Sequence, residues 1–272
     1  MMKFGLIGHP IGHSLSPALF KAGYNGRYLY DLIETPDFET AWQRFLDGYD
    51  GINVTAPFKE PACLKADILS EECILIEATN LLIKTSEGIK AYNSDFLGVR
   101  RWLSEVSANI SDTANVLVVG IGGAGKAVAA AARAENLKMT LMNRDISKAL
   151  DMADRLGGKS GGDDIQVRPL CEFSEAFLEA NIIIYNLPVR IMEIDALYSS
   201  LQNSDAKAET KIILEANYKN PSFTGELLQQ FKESGLEIEY HAGQTWLLLQ
   251  AVTGYELFTG EKPDLSKMTK QI

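Results

Sequence analysis

The stretch of sequence that decides the fold is NVLVVGIGGAGKAVAAAARAE, residues 115–135. An apolar strand-like run precedes Gly120, Gly122 and Gly125, and a run of small helix-forming residues follows them. In this G-x-G-x-x-G spacing the first glycine makes a tight turn, the second admits a pyrophosphate and the third lets helix and strand pack closely. The N–H groups at the start of the helix then face the phosphates. The stretch therefore predicts a dinucleotide site, with a glycine-rich packing turn as the alternative.

The next strand candidate, KMTLMNRDISK at 138–148, ends in the side chains that select the cofactor. Arg144 can stack on adenine and bind a 2′-phosphate, and Lys148 can add positive charge. Asp145 opposes this choice, because a carboxylate repels that phosphate or binds a 2′-hydroxyl. We predict NADP, and NAD stays open because of Asp145. A solvated helix start is the alternative for Arg144 and Lys148.

Strand-like and helix-like segments alternate on both sides of this glycine loop. The strand candidates are KFGLIG at 3–8, YLYDLIE at 28–34, GINVTA at 51–56, NIIIYN at 181–186 and TKIILEAN at 210–217. The alternation predicts an α/β protein with mainly parallel sheets. A long helix at 95–110 precedes the glycine loop, and we place the first domain boundary near residue 104. The apolar helix at 243–260 either closes the Rossmann-like unit or returns to the first domain.

Composition argues against several classes of function. The 272-residue chain has a net charge of −10, a pI of about 4.9 and no basic patch, so we expect no nucleic-acid partner. Its three cysteines, Cys63, Cys73 and Cys171, form no C-x-x-C pair, so we expect no metal site, no disulfide framework and a reducing cytoplasm. No apolar window approaches the length of a membrane span. These features predict a cytoplasmic protein without a membrane partner and leave its oligomeric state open.

Polar side chains follow strand candidates in the first half of the chain. GINVTAPFKE places Asn53, Thr55 and Lys59 after one strand, AYNSDFLG places Asp95 after another, and Asn80 lies in the strand-like EATNLL. Ligands of open α/β sheets bind beyond the carboxyl ends of strands. Lys59 and Asp95 form a candidate proton-transfer pair, because hydride transfer to a ketone leaves an oxyanion that needs a proton. The alternative is a surface lysine and an aspartate that caps the following helix.

Several stretches match, in order, the motifs of one enzyme family. They are GHPIGHSLSP at 8–17, NVTAPFK at 53–59, NSD at 93–95, GIGGA at 120–124, NRD at 143–145, Tyr218 before an Asn-Pro pair, and Gly243 with Gln250 and Ala251. On these matches the chain resembles the shikimate dehydrogenase family over nearly its whole length. The resemblance implies reversible, NADP-dependent reduction of 3-dehydroshikimate to shikimate in aromatic amino-acid biosynthesis.

The resemblance also implies a division of labour along the chain. It implies an N-terminal α/β substrate domain with a mainly parallel sheet at 1–104, completed by the helix at about 243–272. A Rossmann-like NADP-binding domain then occupies 105–242. Lys59 is implied as the proton donor and acceptor, beside Asp95. The implied substrate contacts are Ser14, Ser16 and Tyr218 for the carboxylate, and Thr55, Asn80, Asp95 and Gln250 for the hydroxyls. The implied cofactor contacts are Glu71, Gly120, Gly122, Gly123, Ala124, Asn143, Arg144, Lys148, Ala216 and Gly243.

The chain departs from the family pattern at three places. The family's N-A-T-x-x-G loop is replaced by Asn-Leu-Pro-Val-Arg at 186–190, and its aspartate before the tyrosine motif is replaced around Glu215 and Ala216. Trp246 stands where a methionine is expected. These changes concern the cofactor side more than the substrate side.

Two other functions stay open at this point. Asp145 favours an NAD-dependent quinate/shikimate dehydrogenase, whereas the two serines at 14 and 16 favour shikimate over quinate. A catalytically weak, nucleotide-binding paralogue is the other alternative, and the altered loop at 186–190 keeps it open. Its sequence sign would be the loss of Lys59 or Asp95, and both residues are present.

Overall fold

The chain forms two compact units in a computed structural model that describes residues 2–110, 114–157, 164–202, 210–218 and 220–272. Unit 1 comprises Met1–Gly98 and Leu248–Ile272, and unit 2 comprises Val99–Leu247. The first division falls a few residues before the predicted boundary near residue 104.

Strands and helices alternate along the chain. The strands are β1 Lys3–Gly8, β2 Leu29–Glu34, β3 Gly51–Val54, β4 Ile68–Leu69, β5 Leu81–Thr85, β6 Gly88–Tyr92, β7 Asn115–Val119, β8 Lys138–Met142, β9 Ile165–Arg168, β10 Ile182–Tyr185, β11 Lys211–Glu215 and β12 Ile238–His241. The helices are α1 Ser16–Tyr24, α2 Phe38–Gly48, α3 Lys59–Lys65, α4 Glu71–Ile76, α5 Ser94–Ser107, α6 Gly123–Ala134, α7 Ile146–Arg155, α8 Phe173–Glu179, α9 Met192–Gln202, α10 Gly225–Glu233, α11 Gly243–Thr259 and α12 Leu265–Thr269. The predicted α/β class is confirmed.

The sheet of unit 1 brings several strand ends to one edge. Its strand order is β2-β1-β3-β5-β6-β4, in which β5 runs antiparallel to both neighbours and the other pairs are parallel. The last residues of β1, β3 and β6 and the first residue of β5 therefore share an edge. The segments that follow or precede them carry all of the predicted substrate and proton-transfer residues except Gln250, which lies on α11, and Tyr218, which lies in unit 2. A buried apolar core that includes Ile7, Ile52 and Leu82 fixes this sheet.

The sheet of unit 2 is fully parallel. Its strand order is β12-β11-β10-β7-β8-β9, so the order reverses between β7 and β10, as in a doubly wound dinucleotide fold. The glycine loop follows β7, at this reversal point. The sequence analysis did not predict β9 and β12, which occupy the two ends of the sheet. Among the described residues, no helix has the length and apolar composition that crossing a bilayer requires.

Candidate functional site

The amine of Lys59 and the carboxylate of Asp95 form an ion pair. Lys59 is the first residue of α3, Asp95 lies in the first turn of α5, and the Nζ–Oδ2 distance is 2.7 Å. The Asp95 side chain is 7% exposed and the Lys59 side chain 25%, so the pair is shielded and still reachable. The cap of α5 is Asn93, whose Oδ1 accepts from the N–H of Phe96 at 3.1 Å. The capping alternative for Asp95 is therefore wrong.

Amide side chains lie beside this pair. Asn80 is buried, its Nδ2 donates to Oε1 of Gln250 at 3.4 Å, and its Oδ1 accepts from the N–H of Ser94 at 2.6 Å. The second of these bonds ties Asn80 to the residue next to Asp95. Thr55 follows β3, half-buried, and its N–H donates to the carbonyl of Ile7 at 3.0 Å. Unit 1 thus brings together amides, a hydroxyl, a carboxylate and an amine, groups suited to a polyhydroxylated ligand.

Ser14 and Ser16 form a hydroxyl pair at the start of α1. Ser14 Oγ donates to Ser16 Oγ at 3.1 Å and accepts from the Ser16 N–H at 3.2 Å. Both residues are half-buried, and Pro17 stands in the first turn of the helix. Two short donors held at this separation match the two oxygens of a carboxylate.

The glycine loop of unit 2 has the geometry that a pyrophosphate needs. Gly120 has a φ of +91°, which favours glycine, and a Cβ on Gly125 would lie 1.8 Å from the carbonyl oxygen of Gly120. A Cβ on Gly122 or Gly123 would meet no atom within 4 Å, so the start of α6 faces open space. Gly122 caps α6 without a side-chain hydrogen bond, so backbone N–H groups remain for an anion. These residues fit a dinucleotide, and Ala124 lies in the first turn of the same helix.

The end of β8 is tied to this loop. Asn143 Oδ1 accepts from the N–H of Ile121 at 3.0 Å, and Asn143 Nδ2 donates to the carbonyl of Asp145 at 2.8 Å. Arg144 lies just before α7 and Lys148 lies in its first turn, and both residues are exposed. Asp145 caps α7, because its Oδ1 accepts from the hydroxyl of Ser147 at 2.6 Å and from the Ser147 N–H at 3.2 Å. These hydrogen bonds lower the pKa of Asp145, which therefore keeps its negative charge.

The altered loop at 186–190 is held by backbone and side-chain hydrogen bonds. Tyr185 Oη donates to the carbonyl of Val189 at 2.7 Å, and Arg190 donates to the carbonyl of Ser222 at 3.1 Å. A Cβ on Gly120 would lie 2.8 Å from the side chain of Leu187. Leu187 therefore packs directly on the first glycine of the loop.

Glu215 is a fully buried carboxylate at the end of β11. It accepts from the N–H of Ser222 at 2.5 Å, the N–H of Phe223 at 3.2 Å and the hydroxyl of Tyr240 at 2.9 Å. These bonds close the turn after β11, which carries Ala216 and Tyr218. From sequence, Glu215 was only part of a departure from a family motif and this role was not predicted, although a lone acidic residue at the end of an apolar strand is a signal for it.

The remaining predicted residues are distributed over the two units. In unit 2, a Cβ on Gly243 would lie 2.6 Å from the carbonyl oxygen of Ala216 and 2.7 Å from the N–H nitrogen of Tyr218, so these three predicted residues are neighbours. Glu71 is exposed at the start of α4 in unit 1, and within the described part of the chain its side chain forms no hydrogen bond to another predicted residue. No group of three or more histidine, cysteine or acidic side chains that could hold a metal ion occurs in the described parts of the chain.

Comparisons with protein families and curated proteins agree with each other. Residues 6–82 match the family model for the shikimate dehydrogenase substrate binding domain, and residues 103–212 match the model for shikimate / quinate 5-dehydrogenase. A shikimate dehydrogenase (NADP(+)) from Haloarcula marismortui is 34% identical over 287 aligned residues, covering 100% of this chain and 98% of the relative.

Solved structures with the same fold include two ligand complexes. A quinate dehydrogenase from Corynebacterium glutamicum in complex with NAD has a TM-score of 0.80 and 25% identity, covering 99% of this chain and 98% of the other. A shikimate 5-dehydrogenase from Thermus thermophilus in complex with NADP(H) and shikimate has a TM-score of 0.77 and 26% identity, covering 100% and 98%.

Proposed function

The chain belongs to the shikimate dehydrogenase family, and we propose that it reversibly reduces 3-dehydroshikimate to shikimate with NADPH, using Lys59 and Asp95 as its catalytic pair. The reaction belongs to aromatic amino-acid biosynthesis. The observation that carries the residue assignment is the 2.7 Å ion pair between Lys59 and Asp95, in a unit that also holds the amides of Asn80 and Gln250 and the serine pair.

The substrate is held through its carboxylate and its hydroxyls. Ser14 and Ser16 each donate one hydrogen bond to the carboxylate, and the family resemblance implies Tyr218 as a further carboxylate contact. The ring hydroxyls bind Thr55 and the amides of Asn80 and Gln250. Asp95 accepts a hydrogen bond from the hydroxyl that reacts and keeps the Lys59 amine oriented toward the same oxygen.

Lys59 moves the proton. In the direction of reduction, the C=O bond of the ketone becomes a C–H and an O–H bond, and the Lys59 ammonium gives the oxygen its proton. Lys59 recovers that proton from solvent, and Asp95 stabilises the ammonium that forms. In the direction of oxidation the neutral amine takes the hydroxyl proton. NADPH supplies the hydride in the first direction and NADP accepts it in the second.

The cofactor is NADP, and all of its proposed contacts except Glu71 lie on unit 2, most of them around the glycine loop. The open faces of Gly122 and Gly123 and the start of α6 receive the pyrophosphate, with Gly120 and Ala124 beside them. Asn143 holds the loop, and Arg144 and Lys148 take the 2′-phosphate. Further contacts are proposed at Glu71, Ala216 and Gly243.

A second candidate function is an NAD-dependent quinate/shikimate dehydrogenase. Asp145 is the residue that favours it, since its ionised carboxylate lies next to Arg144. The NAD complex of the Corynebacterium glutamicum quinate dehydrogenase shows that a protein of this fold binds NAD. The intact Lys59–Asp95 pair argues against a catalytically weak paralogue.

The partners are small molecules. The chain carries a net charge of −10, so we expect no nucleic-acid partner, and we expect none in a membrane. The cysteines Cys63, Cys73 and Cys171 are all free thiols, which favours a reducing compartment, and we propose the cytoplasm.

One assay tests the function. The purified chain is given shikimate or quinate, each with NADP⁺ or NAD⁺, and the appearance of reduced nicotinamide is measured. We expect the highest kcat/KM with shikimate and NADP⁺. Higher kcat/KM with quinate and NAD⁺ would favour the second candidate, and absence of activity with shikimate and both cofactors would overturn the proposal.

A further inference from the structure

Two tyrosines lie directly behind the serine pair in unit 1. Tyr255, on α11, is 2% exposed, and its hydroxyl donates to the backbone carbonyl of Ser16 at 3.1 Å. Tyr30, on β2, donates its hydroxyl proton to Oδ1 of Asn53 at 2.7 Å. The two rings are 6.0 Å apart in an edge-on arrangement. Neither tyrosine belongs to the residues that the sequence analysis singled out.

Both phenols are desolvated. Burial raises the pKa of Tyr30 and of Tyr255, and the nearby Ser16 side chain lowers both pKa values to a smaller extent. Each phenol has one proton, and both protons are directed to fixed acceptors, Ser16 O and Asn53 Oδ1. The phenol protons are therefore used within unit 1, and the proton of the Ser16 hydroxyl is left for a ligand.

The tyrosine pair is also connected to the amides of the site. Asn53, which accepts from Tyr30, donates its Nδ2 to the carbonyl of Asn80 at 3.3 Å. Asn80 in turn bonds Gln250 at 3.4 Å. Hydrogen bonds thus run from Tyr30 to the amides that we propose for the substrate hydroxyls, and Tyr30 packs edge-on against Tyr255, which holds Ser16.

Ser16 is consequently held from two directions. Its N–H donates to Ser14 Oγ at 3.2 Å, and Tyr255 holds its backbone carbonyl. Without these contacts, a serine side chain at the start of a helix samples several rotamers. Ordering it on ligand binding then lowers the binding free energy that the ligand gains. Desolvation raises the pKa of both phenols, so they stay neutral and add no negative charge behind a carboxylate.

We propose that Tyr255, supported by Tyr30, is a positioning residue for the substrate carboxylate: it holds Ser16 with its hydroxyl ready to donate to one carboxylate oxygen. This inference rests on the proposed function, because it takes Ser16 as a carboxylate ligand. It assigns to α11 a second role besides carrying Gln250. The ligand class is a ring carboxylate, and the phenols never touch it.

The test compares Tyr255→Phe, Tyr30→Phe and Tyr24→Phe. Tyr24 is the matched control, since it is a buried tyrosine of the same unit whose hydroxyl donates to the Glu261 carbonyl at 2.9 Å. KM and kcat for shikimate are measured at saturating NADP⁺. We expect Tyr255→Phe to raise KM about three- to tenfold, the effect of one lost hydrogen bond, with kcat within about twofold. Tyr30→Phe raises KM in the same direction, and Tyr24→Phe changes neither constant.

A double-mutant cycle separates positioning from general weakening of the fold. In a Ser16→Ala background, Tyr255→Phe is expected to raise KM by less than about twofold, because the hydroxyl it positions is absent. An undiminished effect in that background, or equal KM values for Tyr255→Phe and Tyr24→Phe, would overturn the inference. If Tyr255→Phe fails to fold, the same double-mutant cycle with Ser16→Ala is measured with Tyr30→Phe, which lies on β2 instead of α11. A wild-type chain inactive with shikimate would overturn the proposed function instead.

Discussion

At the scale of single residues, sheet direction explains why a lysine and an aspartate 36 residues apart form an ion pair at 2.7 Å. β3 and β6 both run antiparallel to β5, so their last residues lie at the same edge of the sheet. Each strand is followed by a helix, and Lys59 and Asp95 occupy the first turns of those helices. The rule that ligands bind beyond strand ends therefore made this pair a candidate from sequence, and the family resemblance supplied its proposed role.

Lys59→Ala is expected to lower kcat about 10²- to 10⁴-fold, because the transferred proton then has no positioned donor. The KM for shikimate changes little, since other side chains hold the carboxylate and hydroxyls. Lys65→Ala is the matched control, as Lys65 is an exposed lysine at the other end of α3 that pairs with Glu39. Steady-state kinetics check both variants, and a kcat for Lys59→Ala within tenfold of wild type would rule out the assigned role.

Arg144→Ala is expected to reduce kcat/KM for NADP⁺ about 10- to 100-fold, the effect of a lost charged hydrogen bond, with a much smaller change for NAD⁺. Asp145→Ser tests the opposite influence: serine can still cap α7, but the negative charge is gone, so NADP⁺ preference rises. Arg155→Ala, in the last turn of α7, is the control. Equal losses with both cofactors for Arg144→Ala would refute the 2′-phosphate role.

At the scale of secondary-structure elements, the sequence predicted strands that form continuous apolar runs and missed strands that polar residues interrupt. β9 and β12 are four residues each, like the predicted β3 and β10, but they lie at the ends of their sheet, where polar residues alternate with apolar ones. α11 was predicted from its apolar composition. The role of the Tyr255 hydroxyl was not predicted, because in an apolar helix a tyrosine counts only as a buried ring. Its bonding partner Ser16 lies 239 residues away, beyond the reach of any local pattern.

Aspartate caps give the helices a pH dependence, and α12 shows it most clearly. Hydrogen bonds from Ser266 and Lys267 lower the pKa of Asp264 to about 2, from a usual 3.8. Because the folded pKa is the lower one, the ionised cap stabilises the fold above about pH 4, and this contribution is lost as the pH falls toward 2.

Asp264→Asn tests this dependence, since asparagine caps helices but does not ionise. We expect the variant to have a lower Tm than wild type at neutral pH, and the two Tm values to converge as the pH approaches about 2. Differential scanning calorimetry measures the Tm of both proteins at matched pH values. The titration of other groups affects both Tm values equally and cancels in their difference. A difference in Tm that stays constant with pH would contradict the assignment.

At the scale of the whole molecule, each unit has its own core. In unit 1, rings from opposite ends of the sequence pack together: Phe4 stacks on Phe258 at 4.8 Å, and Phe20 meets Tyr255 edge-on at 4.8 Å. In unit 2, Phe177 belongs to a separate buried cluster. Sequence periodicity left open which unit receives the last apolar helix, because an apolar face does not identify its partner.

Phe258→Ala is expected to destabilise unit 1 by about 3–5 kcal/mol, the usual cost of removing a buried phenylalanine. Hydrogen exchange followed by mass spectrometry should show faster exchange in β1 and α1 and unchanged exchange in β7 and α6. Phe177→Ala is the reciprocal control and should accelerate exchange in unit 2 alone. Uniform acceleration in both units for either variant would show that the two cores do not unfold separately.

Unit 1 is built from two separate segments of the chain, and this has a consequence for the synthesis of the protein. A ribosome completes the whole of Val99–Leu247 before it adds Leu248–Ile272, which returns to the first unit. Chains fold largely from their N-terminus during translation, so the nucleotide-binding unit is whole while the substrate unit still lacks Gln250 and Tyr255. We therefore expect a chain that stops before Leu248 to bind cofactor but to lack a complete substrate site, so that activity depends on residues 248–272.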